Sequence, residues 1–232
     1  MKNKILLILV AVAAVISSCS ISCYAGNRNE IANVNDAMNY IVYQEEAVTV
    51  RKAKLYTAGK NVGNVYLIAL RGSDFTWDKN SLTRIQNCFK SGFAIESDYF
   101  ETVKAKAVKK IPEGSFVVLI GHSLGGMIAQ QFSSDKEMKI RYNIINTLTM
   151  GSPFVVAGKR EGELHRMADS GDAVPFISPV LFANAFFGNY TYERCGYFGN
   201  PGGAHVDSYL YAKEWALYDC FGVKNGTSKL IY

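Results

Sequence analysis

Proline, histidine and excess charge are scarce in this chain of 232 residues, which has 5 prolines, 3 histidines and a formal net charge of +5. The sequence also lacks Gly-X-Y triplets, heptads, low-complexity linkers and repeats of about 20 to 50 residues. The absence of these repeats excludes the fibrous classes of protein. Because 49% of the residues are hydrophobic, a disordered chain is also excluded. The length favours one globular domain with a sizeable core.

The sequence has no pattern typical of a metal or nucleic-acid site. It contains no CxxC pair and no His-rich spacing. The densest lysine cluster, between Lys104 and Lys110, lies on a predicted helix without an arginine run or an aromatic RNA-binding motif. We interpret it as a solvated helix face, and expect neither a bound metal nor a nucleic-acid partner.

Long hydrophobic runs are also missing. Two lysines precede the longest one, Ile5 to Ile16, which is shorter than the roughly 20 residues that cross a bilayer. This pattern predicts a secretory signal in residues 1–25, with cleavage either after Ala25 or, as in a bacterial lipoprotein, before a lipid-modified Cys19. A retained hydrophobic anchor is the third alternative and is less favoured. We therefore expect residues 26–232 to form a single domain of a secreted or periplasmic protein, or of an outer-membrane lipoprotein.

Cysteine is sparse as well. Cys88, Cys195 and Cys220 remain after cleavage at Ala25. Export permits one disulfide, and we favour Cys195 with Cys220, although the sequence alone does not determine the pairing.

Predicted strands and helices alternate along the chain. Apolar runs and amphipathic periodicity predict strands at 48–56, 65–70, 116–120, 144–149 and 164–168, and helices at 35–46, 97–110, 127–132 and 209–217. The charged residues among the apolar ones in the first of these strands suggest a sheet edge. The alternation indicates an α/β protein with a mostly parallel central sheet and helices on both faces. In such sheets, functional groups collect at the carboxyl ends of the strands.

The segment Gly121-His122-Ser123-Leu124-Gly125 follows a buried strand and precedes a helix. This is the layout of a nucleophile elbow, in which a serine occupies a strained turn. Gly121 and Gly125 are needed because a Cβ at either position would collide with the neighbouring strand and helix. The alternative is a glycine-rich turn without chemistry.

A nucleophilic Ser123 requires a histidine base and a carboxylate that orients it. In the chain order of such folds the base comes last, which selects His205 over His122 and His165. We expect the other two histidines to be structural.

The acid should follow a strand between the serine and the base, where Asp169 and Asp172 lie. Asp172 is favoured because it sits in a turn before Pro175, whereas Asp169 can cap the local turn.

Acyl transfer also needs hydrogen-bond donors for a tetrahedral oxyanion. The Leu124 amide is one candidate. The second is Ser73, which follows a buried strand and offers both an amide and a hydroxyl. The alternative is that Ser73 belongs to an ordinary polar strand end.

Five segments within about residues 60 to 215 resemble, in order, those of the class 3 lipases, the fungal-lipase-like branch of the α/β-hydrolases. They are Leu70-Arg71-Gly72-Ser73, Ser91-Gly92-Phe93, Gly121 to Gly126, Thr149-Met150-Gly151-Ser152-Pro153 and Asp172-Ala173-Val174-Pro175. The resemblance implies an α/β-hydrolase fold and hydrolysis of triacylglycerol, phospholipid or smaller carboxylic esters, without a metal or an organic cofactor.

We therefore expect an exported serine hydrolase that cleaves lipid esters through an acyl-enzyme, with a phospholipase A1-like activity among the options. Two alternatives stay open: an acyltransferase using the same acyl-enzyme, and a non-catalytic lipid-binding protein. The sequence does not indicate the oligomeric state.

Two features depart from the fungal enzymes. The interval from Ser73 to Ser91 is short for a lid helix. The apolar stretch 180–187 either lines an acyl pocket, contacts a lipid surface, or forms a helix buried in the core.

Overall fold

A computed structural model describes residues 29–72, 90, 96–155, 158–176 and 190–232 of the chain. Several sequence predictions lie outside these residues. They concern the signal segment 1–25, Ser73, Cys88, Ser91 to Phe93 and the apolar stretch 180–187.

The strands of the described residues form one eight-stranded sheet in the order β1-β8-β2-β3-β4-β5-β6-β7. Their bounds are β1 Glu30–Ile31, β2 Val48–Thr57, β3 Lys60–Leu70, β4 Phe116–His122, β5 Asn143–Met150, β6 Glu163–Asp169, β7 Tyr190–Glu193 and β8 Lys229–Ile231. Strands β3 to β7 are parallel to one another, whereas β1, β8 and β2 join by antiparallel pairing. The predicted α/β class with a mostly parallel sheet is confirmed.

The prediction that residues 48–56 form a sheet edge is wrong. Strand β2 lies between β3 and β8, and its residues Lys54 to Tyr56 pair with Lys229 to Ile231. The charged residues Arg51, Lys52 and Lys54 suggested an edge. Strand β8 is short and pairs with Lys54 but not with Arg51 or Lys52, so the charge pattern did not reveal this neighbouring strand.

Helices cover both faces of the sheet. Their bounds are α1 Val34–Val42, α2 Asp98–Lys110, α3 Leu124–Ser134, α4 Lys136–Arg141, α5 Pro201–His205 and α6 Asp207–Tyr211. Helix α2 begins at the Ser97 cap, whose side chain accepts the Phe100 amide, and it ends before Pro112, as predicted. The helix predicted at 35–46 ends four residues early, and the one predicted at 209–217 is divided into α6 and a 3₁₀ turn, Trp215–Leu217.

The central strands are buried on both faces because alternate side chains enter two separate cores. In β3, Leu67 and Ala69 pack with the core that contains α1, whereas Ile68 and Leu70 pack with the core of α2, α3 and α4. Burial of each large apolar side chain contributes about 1.5 to 3 kcal/mol. The sheet therefore holds its carboxyl edge on a rigid frame.

Cys195 and Cys220 are free thiols, so the favoured disulfide between them is not formed. Burial raises the pKa of both thiols, with a further contribution from nearby carboxylates. Among the residues described, no helix combines the length and apolar character needed to cross a membrane.

Buried Asn35 on α1 ties this helix to the end of α6, donating to the carbonyls of Tyr209 at 2.9 Å and Ala212 at 3.2 Å. These carbonyls lie at a helix end, where backbone acceptors lack intrahelical partners. Replacing Asn35 by Ala should lower the free energy of unfolding by about 1 to 3 kcal/mol, measured by urea titration. The control is Asn61, which is exposed. Asn61→Ala should change the free energy of unfolding by less than about 0.5 kcal/mol. Equal effects of the two changes would contradict this role of Asn35.

Candidate active site

Ser123 occupies a sharp turn between β4 and α3. Its backbone has φ 54° and ψ −124°, in a region that residues with a Cβ seldom adopt. The turn is held by a hydrogen bond of 3.0 Å from the Ser123 amide to the Met150 carbonyl of β5. The Ser123 hydroxyl makes no capping hydrogen bond with the helix that it begins, so capping does not occupy this oxygen.

The elbow glycines let strand and helix approach closely. A Cβ at Gly121 would lie 2.5 Å from the carbonyl oxygen of Gly125, and a Cβ at Gly125 would overlap the backbone of Leu70 at the end of β3. This packing agrees with the steric reason for which the sequence pattern requires glycine at both positions.

Asp172 and His205 form a buried pair. The His205 Nδ1 lies 2.9 Å and 3.1 Å from the two carboxylate oxygens of Asp172, and both side chains are almost completely buried. Because a carboxylate can only accept here, Nδ1 carries the proton of this hydrogen bond. Within the described part of the chain, the buried Nε2 of this ring has no hydrogen-bond partner.

The end of β5 brings Ser123 and this pair to one place. Met150 accepts the Ser123 amide, and the next residue, Gly151, packs directly on the pair. A Cβ at Gly151 would lie 2.8 Å from Asp172 Oδ2 and 3.1 Å from the His205 ring, and its φ of 57° also favours glycine. The sequence predicted a strand end at this position but not its contact with the acid and base.

His122 contributes to the site more directly than the sequence suggested. Its Nε2 donates 2.7 Å to the backbone carbonyl of His205, and the two rings lie 4.6 Å apart between centroids. Burial, followed by repulsion from His205, lowers the pKa of His122 to about 3, so the ring is neutral near pH 7. His122 therefore fixes the backbone of the predicted base at the end of α5.

Asp169 accepts a turn amide and His165 lies within a strand, which are the positions that the sequence predicted. Asp169 Oδ1 accepts the Gly171 amide at 2.8 Å in the turn after β6, whereas Asp172 contacts His205. His165 lies within β6, where partial burial lowers its pKa.

Two further residues support the site and were missed by sequence reasoning. Tyr209 donates its hydroxyl proton to Asp172 Oδ2 at 3.0 Å. Gln130 of α3 holds the loop after β5, donating to Pro153 O at 2.8 Å and accepting the Val155 amide at 3.1 Å. The spacing of four residues from His205 to Tyr209 is a weak signal in the sequence, and Gln130 has none beyond its place on the elbow helix.

The predicted oxyanion donors are only partly within the described residues. The Leu124 amide lies in the first turn of α3, where amides have no intrahelical acceptor. Ser73 lies outside the described residues, but the preceding Gly72 packs against Ser123: a Cβ at Gly72 would lie 2.9 Å from Ser123 Cβ.

The β3 end that leads to Ser73 is anchored from two sides. The Arg71 amide donates to Ala47 O at 2.9 Å, and the Tyr99 hydroxyl lies 2.8 Å from Arg71 O and 2.9 Å from Ala47 O. The chain therefore leaves β3 in a defined position beside the elbow.

The described residues contain no group of three or more His, Cys, Asp or Glu side chains that could hold a metal ion. The chemistry available in this region is that of the Ser123 hydroxyl and of the hydrogen-bonded His205 imidazole and Asp172 carboxylate. Such an arrangement is suited to nucleophilic attack on an acyl group.

Neutral His122 should make stability depend on pH. Its folded pKa of about 3 lies below the roughly 6.5 of an unfolded histidine, so between these values unfolding takes up a proton. Its contribution to the free energy of unfolding is therefore complete above about pH 6.5 and declines as the pH falls, by up to about 1.4 kcal/mol per pH unit. We expect a flatter dependence between pH 7 and 4 for His122→Gln than for the wild type, measured by urea titration.

His165→Gln serves as the matched control for this measurement. Because His165 is only half-buried, its replacement should flatten the pH dependence less. If His122→Gln and the wild type lose stability in parallel on acidification, His122 does not titrate as described.

Comparison with known protein families gives a match to part of the chain. Residues 83–169 match the family described as "PGAP1-like alpha/beta domain". The matched segment contains Ser123 and ends before Asp172 and His205, and it covers less than half of the chain. No curated protein matches the chain.

One similar solved structure is Lip2 lipase from Yarrowia lipolytica. The two share 13% identity with a TM-score of 0.31, over 78% of this chain and 82% of the other. The sheet order, the strained turn at Ser123 and the family match together show that this chain has an α/β-hydrolase fold.

Proposed function

We propose that this chain is a serine hydrolase that cleaves carboxylic esters of lipids. The observation that carries the proposal is the buried hydrogen bond between Asp172 and His205 beside the strained Ser123. A buried, ordered acid and histidine next to a serine on a strained turn are costly to maintain unless the three groups act together.

In the proposed reaction His205 Nε2 removes the proton of the Ser123 hydroxyl as its oxygen attacks the ester carbonyl. Asp172 stabilises the imidazolium that forms at His205. The Leu124 amide and Ser73 donate to the oxyanion of the tetrahedral intermediate. His205 then protonates the departing alcohol. In the second half of the reaction His205 removes a proton from water, the water oxygen attacks the acyl-enzyme, and His205 returns the proton to the Ser123 oxygen as the acid leaves.

Lipid esters are the proposed substrate class because the sequence segments around the site resemble those of class 3 lipases. Triacylglycerol and phospholipid both fit, and hydrolysis at the first acyl position of a phospholipid would be phospholipase A1 activity. Transfer of the acyl group to an alcohol uses the same acyl-enzyme, so products must be analysed as well as ester loss. Contact with a lipid surface belongs to the same proposal.

Loss of the nucleophile should abolish turnover. We expect purified wild-type chain to release 4-nitrophenol from esters between acetate and palmitate, and Ser123→Ala to lower kcat by at least about 10³-fold. Ser134→Ala on the same helix is the control, since the hydroxyl of Ser134 donates to the Gln131 carbonyl within this helix, and this variant should keep wild-type activity. The chain length of maximal turnover would distinguish an esterase from a lipase.

Either of two results would overturn the hydrolase proposal. One is equal activity of the wild type and Ser123→Ala. The other is binding of lipid by the wild type without release of acid or transfer of the acyl group, which would favour a lipid-binding protein.

Export forms a further part of the proposal and rests on the apolar run after the two N-terminal lysines. Expressed as the full sequence in a Gram-negative bacterium, the protein should reach the envelope or medium with its first residues removed. Mass spectrometry should find either Gly26 or a lipid-modified Cys19 at the new N-terminus. Cys19→Ser separates these outcomes, because it abolishes only the lipidated form; an uncleaved chain retained in the cytoplasm would contradict export.

A further inference from the structure

Tyr209 connects the predicted acid to a separate helix. Its hydroxyl donates to Asp172 Oδ2 at 3.0 Å and accepts the Asp169 amide at the same distance. The side chain lies on α6, is fully buried and stacks on Trp215 with 5.4 Å between ring centroids. A single hydroxyl therefore joins the end of β6, the acid and the helix that follows the base.

We propose that Tyr209 is a positioning residue that restrains the Asp172 carboxylate and, by sharing its negative charge, sets how readily His205 accepts a proton. This inference rests on the proposed function, because it assigns Tyr209 a role in the same reaction. It adds a residue beyond the serine, acid, base and oxyanion donors.

The carboxylate of Asp172 has three kinds of donor. Tyr209 and the His205 ring donate to Oδ2, and the Val174 amide donates to Oδ1 at 3.0 Å. Each donor draws charge from the carboxylate, and burial makes each contribution larger than in water. Removing one donor leaves more negative charge facing His205, which favours the protonated ring.

Tyr209 acts as a donor over the whole working pH range. Burial, reinforced by the Asp172 carboxylate, raises the pKa of its phenol well above the usual value. The hydroxyl therefore keeps its proton, and its contribution to the acid does not change with pH.

Other ionisable groups face Asp172, His205 or Tyr209, and their effect must be the same in any variants compared. These groups are His122 at the end of β4, Asp169 at the end of β6, and Tyr190 of β7. The Arg166 guanidinium lies over the ring of Tyr190. A substitution at Tyr209 replaces none of these residues, and it removes one hydrogen bond to them, the one that the Asp169 amide donates to the hydroxyl. The comparison with the wild type consequently isolates the hydroxyl.

Replacing Tyr209 by Phe removes the hydroxyl and retains the ring that packs on Trp215. We expect the acid limb of the kcat/KM profile of the full chain to move to higher pH by about half a unit to one unit. We also expect kcat on the plateau to fall by about 3- to 10-fold, because the acid is less restrained. Lower activity without movement of the limb would reduce Tyr209 to a structural residue and overturn the proposal.

Tyr218→Phe is the matched control. Tyr218 also packs on Trp215 and donates to a carboxylate, but that carboxylate belongs to Glu193. The variant should leave the limb in its wild-type position. An equal movement in both variants would mean that the shift reflects general loosening around Trp215, which contradicts the proposal.

A second variant tests the same hydroxyl without removing it. Incorporation of 3-fluorotyrosine at position 209 makes the phenol a stronger donor while preserving its shape. The acid limb should then move to lower pH, opposite to Tyr209→Phe. Movement in the same direction for both variants would overturn the role proposed for Tyr209.

A readout without substrate distinguishes failure of this inference from failure of the proposed function. The Nδ1 proton shared by His205 and Asp172 should give a low-field NMR signal, and Tyr209→Phe should move it to still lower field because the carboxylate becomes a stronger acceptor. If esters are not turned over but the signal moves, the hydrolase proposal fails and the coupling stands. If Ser123→Ala abolishes turnover but the signal and the limb stay in place in Tyr209→Phe, only the coupling fails.

Discussion

The site depends on the close approach of β3, β4 and α3 at the elbow. Strand β4 lies between β3 and β5, and the turn after it must bring a helix back over the sheet within one residue. Gly121 and Gly125 leave the space for this return, and Ser123 takes the strained backbone that results. The strain is sustained by the buried strands on both sides, since an isolated turn of this conformation would relax.

The remaining groups reach Ser123 from the ends of neighbouring strands. The parallel register sets His122 opposite Met150 and Met150 opposite Met167, so the chain segments after β4, β5 and β6 emerge at one edge. Gly151 and Asp172 come from two of these segments, whereas His205 comes from α5, beyond the last parallel strand. Asp172 and His205 are placed by the sheet and then held by His122 and Tyr209, which link β4 and α6 to them.

Much of this arrangement could be predicted from the sequence because its signals are local. The apolar runs of β3 and β4, the glycine pattern around Ser123 and the scarcity of histidine lead to the parallel sheet, the elbow and His205. The contacts of Tyr209 and the pairing of β8 with β2 could not be predicted, because each joins residues distant in sequence and leaves no periodic pattern. The prediction of a disulfide between Cys195 and Cys220 was wrong for a related reason. The number of cysteines and an expected export do not determine which two sulfur atoms lie close together in the fold.

Strand β8 also determines the order in which the sheet can be completed. It lies between β1 and β2, so within the described residues the earliest strand along the chain joins the sheet only through the latest. Contacts with such large sequence separation form late in folding. Residues 30 and 31 therefore join the sheet only after residues 229 to 231 have paired with β2. A chain whose last residues have not yet left the ribosome or a translocation pore lacks this part of its sheet.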